Sequence, residues 1–208
     1  MIKNIIYFGI SIILFFAGVI SYGIILNIRE VSLDEAMREK GIAKLNEVYL
    51  IVDKKNFKLE LYSDSILVKT YKAVYGRNSS RVKKSLDDNV TPIGAYKICM
   101  TDTSKVYHRF LQLNYPGIND VSEIYKNGYM GKGEYEKLIA TLSQTDCLPN
   151  EYDDNKKIGI HGIGEYNSIF KNLPFVFNWT NGSIAVSNEN VDELFKVTKV
   201  GTPVEIIF

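Results

Sequence analysis

Ile158-Gly-Ile-His-Gly162 and Asn178-Trp-Thr-Asn-Gly-Ser-Ile-Ala-Val-Ser-Asn188 decide how this chain is read. The first holds one of only two histidines in 208 residues, and the second holds a small hydroxyl residue directly behind a glycine. Nucleophilic acyl transfer needs an attacking atom, a base that takes its proton and donors for the oxyanion. His161 suits the base, because a neutral imidazole works near pH 7. Gly162 beside it leaves room for a substrate carbonyl. Ser183 takes the nucleophile position, and the backbone N–H groups of Gly182 and Ser183 are the candidate oxyanion donors. A lone histidine is more often structural than catalytic; its glycine neighbour and the second motif reverse that balance.

Composition narrows the classes around this pair. Hydrophobic content of 46% and charged content of 24% are ordinary for a globular protein. A net charge of +1 argues against a nucleic-acid binder, which needs a basic face to displace counterions. The chain has no Cys-x-x-Cys and no histidine cluster, so neither a metal nor another cofactor is expected. Cys99 and Cys147 are free to pair in an oxidising compartment, but their spacing does not demand it.

Residues 5–28 carry no charge and no polar stripe. The run exceeds the roughly 20 apolar residues that cross a bilayer as helix, so it is expected to be a transmembrane anchor. A cleaved signal peptide is the rival; its apolar region is shorter, roughly 7–15 residues, and is followed by a small-residue cleavage site. Residues 1–4 form a short tail. Residues 29–45 read as a helical stalk, opened by the capping-box pattern Ser32-Leu-Asp-Glu35 and ended near Gly41. Arg29, Arg38, Lys40 and Lys44 after the span would place the domain inside by a charge count, yet a domain of this length translocates regardless, so the side stays open.

From residue 46 the pattern is mainly β. Val48–Val52, Lys58–Tyr62, Ser65–Tyr75, Thr91–Ile98, Arg109–Asn114 and Thr202–Phe208 are β-branched, aromatic or alternating. Residues 119–145 turn helical, with Tyr135, Leu138, Ile139 and Leu142 on one face, and Ser187 or Asn188 caps a last helix over 189–196. His108 reads as a strand residue at the sheet surface with a secondary claim to touch substrate, and Trp179 as a wall of the site. Lys83-Lys84 and Lys156-Lys157 read as solvated loop charges.

As a set, these motifs resemble the catalytic domain of the L,D-transpeptidases, which cross-link bacterial peptidoglycan. Thr91-Pro-Ile-Gly-Ala-Tyr96, Ile160-His-Gly162, Thr180-Asn-Gly-Ser-Ile184, Ser187-Asn188 and Gly201-Thr-Pro-Val-Glu-Ile206 follow the family order over about four-fifths of the chain. The resemblance implies a β-sandwich catalytic domain over 46–208 with short helical insertions. It implies His161 as general base, Gly162 as the residue whose carbonyl orients the site, and position 183 as the nucleophile. Trp179, Thr180, Asn181 and His108 become candidate substrate contacts. It also implies peptidoglycan stem peptides as partners and a domain outside the cell membrane, facing the wall. Oligomeric state stays open. In the family mechanism the nucleophile attacks the carbonyl of the third stem residue, D-Ala leaves, and an amine of a second stem, or water, takes the acyl group.

Ser183 departs from the family, which has Cys there; Asn181 and Ala185 replace a His and an Arg of its commoner form. A thiolate is a strong nucleophile, whereas a hydroxyl works only with a well-aligned base. The change is expected to cost roughly 10³-fold or more. Three accounts follow: an inactivated form of a cysteine enzyme, a degenerate relative that binds stem peptides without turnover, or a working serine enzyme. The intact His161, Trp179 and Thr180 favour the first.

Overall fold

The computed structural model describes residues 2–28, 30–103, 106–149, 152, 156–173 and 177–208. Met1 of the expected tail and Arg29 of the expected stalk lie outside the described residues. Helix α1 (Ile2–Ile28) already includes residues 2–4, and its residues 2–25 are almost all exposed. Helix α2 (Leu33–Glu39) begins where expected: Ser32 Oγ accepts the N–H of Glu35 at 3.3 Å. Gly41 ends it in the left-handed region, φ +67°, where a Cβ is disfavoured. It is more than a connector. Leu33 and Ala36 are buried, and Glu193 accepts the free N–H of Leu33 at 2.9 Å, so the stalk docks on the domain.

Among the described residues, eight strands form one sheet. They are β1 (Val48–Asp53), β2 (Lys58–Ser63), β3 (Ile66–Lys72), β4 (Gly94–Asp102), β5 (Phe110–Leu113), β6 (Gly159–Gly162), β7 (Ile184–Val186) and β8 (Pro203–Ile207), in the order β3-β2-β1-β8-β4-β5-β6-β7. Alternation is clear in β1 and β2, where Leu50, Val52, Leu59 and Leu61 are fully buried against Val204 and Ile206 of β8. Asp53 caps the β1–β2 turn by accepting the N–H of Asn56 at 3.0 Å. The expected sandwich is realised as one curled sheet. Beyond β3, Val74 pairs antiparallel with Ala185 of β7, at 2.9 and 2.8 Å, so the two ends of the sheet meet and the fold is barrel-like.

Among the described residues, four further α-helices follow α2: α3 (Ile118–Lys126), α4 (Lys132–Leu142), α5 (Asn167–Phe170) and α6 (Asn188–Val197). Ser187 caps α6 by accepting the N–H of Asn190 at 3.2 Å, and Val191 and Leu194 face the core. Cys99 of β4 and Cys147 of the loop after α4 form a disulfide. Of the lysines expected to be solvated, Lys84 is exposed, whereas Lys83 is covered and paired with Asp88 at 2.7 Å and Lys157 is buried. The strand expected from Thr91 begins only at Gly94, because Thr91 is used differently: its hydroxyl accepts the N–H of Gly76 at 2.9 Å.

Candidate active site

β6 and β7 carry the two motifs side by side. They pair in parallel, Ile160 with Ile184, His161 with Ala185 and Gly162 with Val186. One step back from these pairs, Ser183 directly precedes β7, and its Oγ meets the N–H of Gly159, the first residue of the strand that carries His161. Sequence distance hides this pairing; the closure of the sheet creates it.

His161 is only 2% exposed. Its Nδ1 lies 2.7 Å from the carbonyl oxygen of Gly162, which can only accept, so Nδ1 carries the proton and Nε2 the lone pair. Burial pushes its pKa down to about 4, against the upward pull of that hydrogen bond, so the imidazole is neutral at pH 7. Tyr107 lies over the ring, centroids 4.5 Å apart, and Trp179 meets it edge-on at 6.0 Å. A Cβ at Gly162 would come within 2.6 Å of Asn188 Oδ1 and 2.9 Å of the Tyr107 carbonyl oxygen, so the strand beside the base has no room for a side chain.

Ser183 Oγ is engaged with the backbone at the start of β6. It accepts the N–H of Gly159 at 3.2 Å and donates to the carbonyl of Lys157 at 3.4 Å. Thr180 holds the turn that presents it: Oγ1 donates to the Ser183 carbonyl at 2.6 Å and accepts the N–H of Gly182 at 3.2 Å. That last bond corrects the expected pair of oxyanion donors, because the Gly182 N–H is already committed to Thr180. The φ of +121° at Gly182 explains the glycine. Behind the turn, Thr180 exchanges backbone hydrogen bonds with Tyr75 and Arg77, and Thr91 fixes Gly76 between them. The Thr-Pro motif therefore buttresses the nucleophile turn.

The remaining expected residues separate. Trp179 is half-buried and forms a wall with Phe170, centroids 6.1 Å apart, while Asn181 is exposed at the lip. His108 is not in a strand; it sits in the β4–β5 turn at φ +66°, and its Nε2 pairs with Asp192 of α6 at 2.8 Å. Asp192 also receives Arg109 Nε at 2.9 Å, so His108 is held toward α6. Three contributors escaped the sequence reading. Tyr107 covers the base, Asn188 exchanges hydrogen bonds with both backbone groups of Gly164, and Asn178 accepts the N–H of Tyr75. Only Asn188 had a signal, as part of the Ser187-Asn188 motif.

The family is shown by one comparison. The family model YkuD, the L,D-transpeptidase catalytic domain, matches residues 47–206. Among solved structures the chain is similar to Bd1075 of Bdellovibrio bacteriovorus, with 18% identity, 78% of this chain and 48% of that one covered, and a TM-score of 0.48. It is similar to Pgp2 of Campylobacter jejuni, described as a helical cell shape determining protein, with 18% identity, coverage of 84% and 55%, and a TM-score of 0.46. It is also similar to L,D-transpeptidase 1 of Mycobacterium tuberculosis, with 12% identity, coverage of 78% and 62%, and a TM-score of 0.42. The chain spans less than two thirds of each of these structures. No curated protein matches it.

Proposed function

This chain belongs to the L,D-transpeptidase catalytic-domain family, and from that premise we propose a membrane-anchored protein whose cleft takes peptidoglycan stem peptides but whose acyl transfer is held back at Ser183. The observation that carries this reading is the set of contacts made by Ser183 Oγ, which meets the Gly159 N–H at 3.2 Å and the Lys157 carbonyl at 3.4 Å. Attack requires the hydroxyl proton to pass to His161 Nε2 as Oγ bonds to the substrate carbonyl. A hydroxyl gives up that proton only to a well-aligned base and is otherwise a poor nucleophile. A cysteine there would ionise far more readily, and the Gly159 N–H aimed at position 183 would stabilise its thiolate.

The rest of the cleft keeps the chemistry of acyl transfer. With sulfur at 183, the donor's third carbonyl bonds to Sγ, and the bond to the terminal D-Ala breaks. His161 carries the proton to the leaving amine. An acceptor amine, or water for a carboxypeptidase outcome, then takes the acyl group and restores the thiol. The Ser183 N–H remains the proposed backbone donor to the oxyanion. His161 serves as base because burial keeps it neutral and Gly162 fixes its tautomer. A disulfide fits a domain folded outside the cytoplasm, and α1 supplies the anchor.

The chain's single tryptophan, Trp179, reports on the cleft. Adding a disaccharide-tetrapeptide to the full chain in detergent is expected to change its emission saturably. D-Ala release is expected to be at least ~10³-fold slower than with Ser183→Cys. Unchanged emission would remove the stem-peptide reading. Release at the rate of the cysteine variant would make this a working serine enzyme.

A further inference from the structure

The apolar helix does not leave the domain cleanly. Gly23 of α1 is buried although the helix around it is exposed, and a Cβ there would collide with the carbonyl oxygen of Asn172. Asn172 ends the segment that contains α5: its N–H donates to the Ile169 carbonyl at 3.2 Å and its Nδ2 to the Ser168 carbonyl at 2.6 Å. The same segment shows large apolar side chains to solvent. Tyr166 is 62% exposed and Ile169 56%, three residues apart and so on one face of the turn. Phe177 beside them is 41% exposed.

Depth along α1 gives this patch a partner. The apolar span Ile2–Ile25 covers about 36 Å as helix against a hydrocarbon core of about 30 Å. A centred helix therefore leaves the outer boundary about two residues before Ile25, at Gly23. A protein segment touching Gly23 must lie at the boundary between acyl chains and headgroups, where Tyr and Phe rings are enriched. Lys72 brings an ammonium to the same edge, donating to the Leu173 carbonyl at 3.1 Å, which suits an anionic headgroup layer. The inner side of α5 faces the site: Phe170 lies 6.1 Å from Trp179, which meets His161.

We propose that residues 166–173, with Phe177, form a second membrane contact seated in the outer headgroup layer, so that the wall of the cleft is also the edge that rests on the bilayer. This inference rests on the reading of α1 as a spanning anchor. It makes the orientation of the cleft a property of the lipid surface and restricts binding to stem peptides that approach close to the membrane.

Both native cysteines are in the disulfide, so one added cysteine takes a dye. The full chain would be reconstituted into phosphatidylethanolamine–phosphatidylglycerol vesicles with an environment-sensitive dye at Leu14→Cys or at Ile169→Cys. The expected result is quenching at both positions by spin labels on the acyl chains, about twofold or more at 169, with little quenching there by aqueous iodide. Quenching at 14 with none at 169, and open access of iodide to 169, would overturn the second contact and leave the anchor standing. No lipid quenching at 14 would overturn the anchor and this inference with it.

Discussion

Ser183 directly precedes β7, and His161 lies in β6, the strand parallel to it. Ser183 Oγ has a donor in Gly159 and an acceptor in Lys157, so the residue is well accommodated where it is. On the proposed reading its cost falls on reactivity. His161 carries a stability consequence of its own. Its folded pKa, about 4, lies below the unfolded value near 6.5, so between these pH values the unfolded chain binds more protons than the folded one. The sign follows: stability is fully present above about pH 6.5 and is lost as pH falls toward 4. Urea unfolding at pH 7 and pH 4.5 is expected to show a loss of about 2–3 kcal/mol that His161→Gln largely removes. An equal loss in the variant would assign the pH dependence elsewhere.

At the scale of elements, the site depends on pieces that the chain brings from far apart. The nucleophile turn leans on the segment after β3 through Tyr75 and Arg77, and on the start of β4 through Thr91. The opposite end of β4 is tied by Cys99 to Cys147, 48 residues away, across the whole α3–α4 insertion. Closing a loop of that length stabilises a fold by about 4 kcal/mol in the chain-entropy account. Replacing both cysteines by serine is expected to lower the urea-unfolding free energy by about 2–4 kcal/mol. The far-UV spectrum should stay native, because β4 also pairs with β5 and β8. No loss would mean that the insertion folds as tightly without the link. α2 belongs here too: Leu33 lies in the core, and Glu193 binds both the start of α2 and Lys69 of β3 at 2.6 Å, so the stalk is a structural part of the domain.

For the whole molecule, the mainly β character, the last helix and the order of motifs were legible because each is written locally. Alternation marks β1 and β2, Ser187 caps α6, and glycine stands where a Cβ has no room. Long-range consequences were not legible. Nothing near Ser65–Tyr75 says that Val74 will close the sheet on Ala185. The β4–β5 turn swings His108 toward Asp192, and no spacing announces it. Gly182 read as an oxyanion donor because its neighbours are small; only the folded turn shows its N–H spent on Thr180. The disulfide was left open for the same reason, since a separation of 48 residues is compatible with both outcomes.

If the proposed cleft lacks only one sulfur atom for acyl transfer, the intact mass of Ser183→Cys after incubation with a carbapenem rises by one carbapenem. The parent chain and the Ser183→Cys/His161→Ala double variant show no such increase. A folded Ser183→Cys protein that stays unlabelled would rule the proposed acyl-transfer site out.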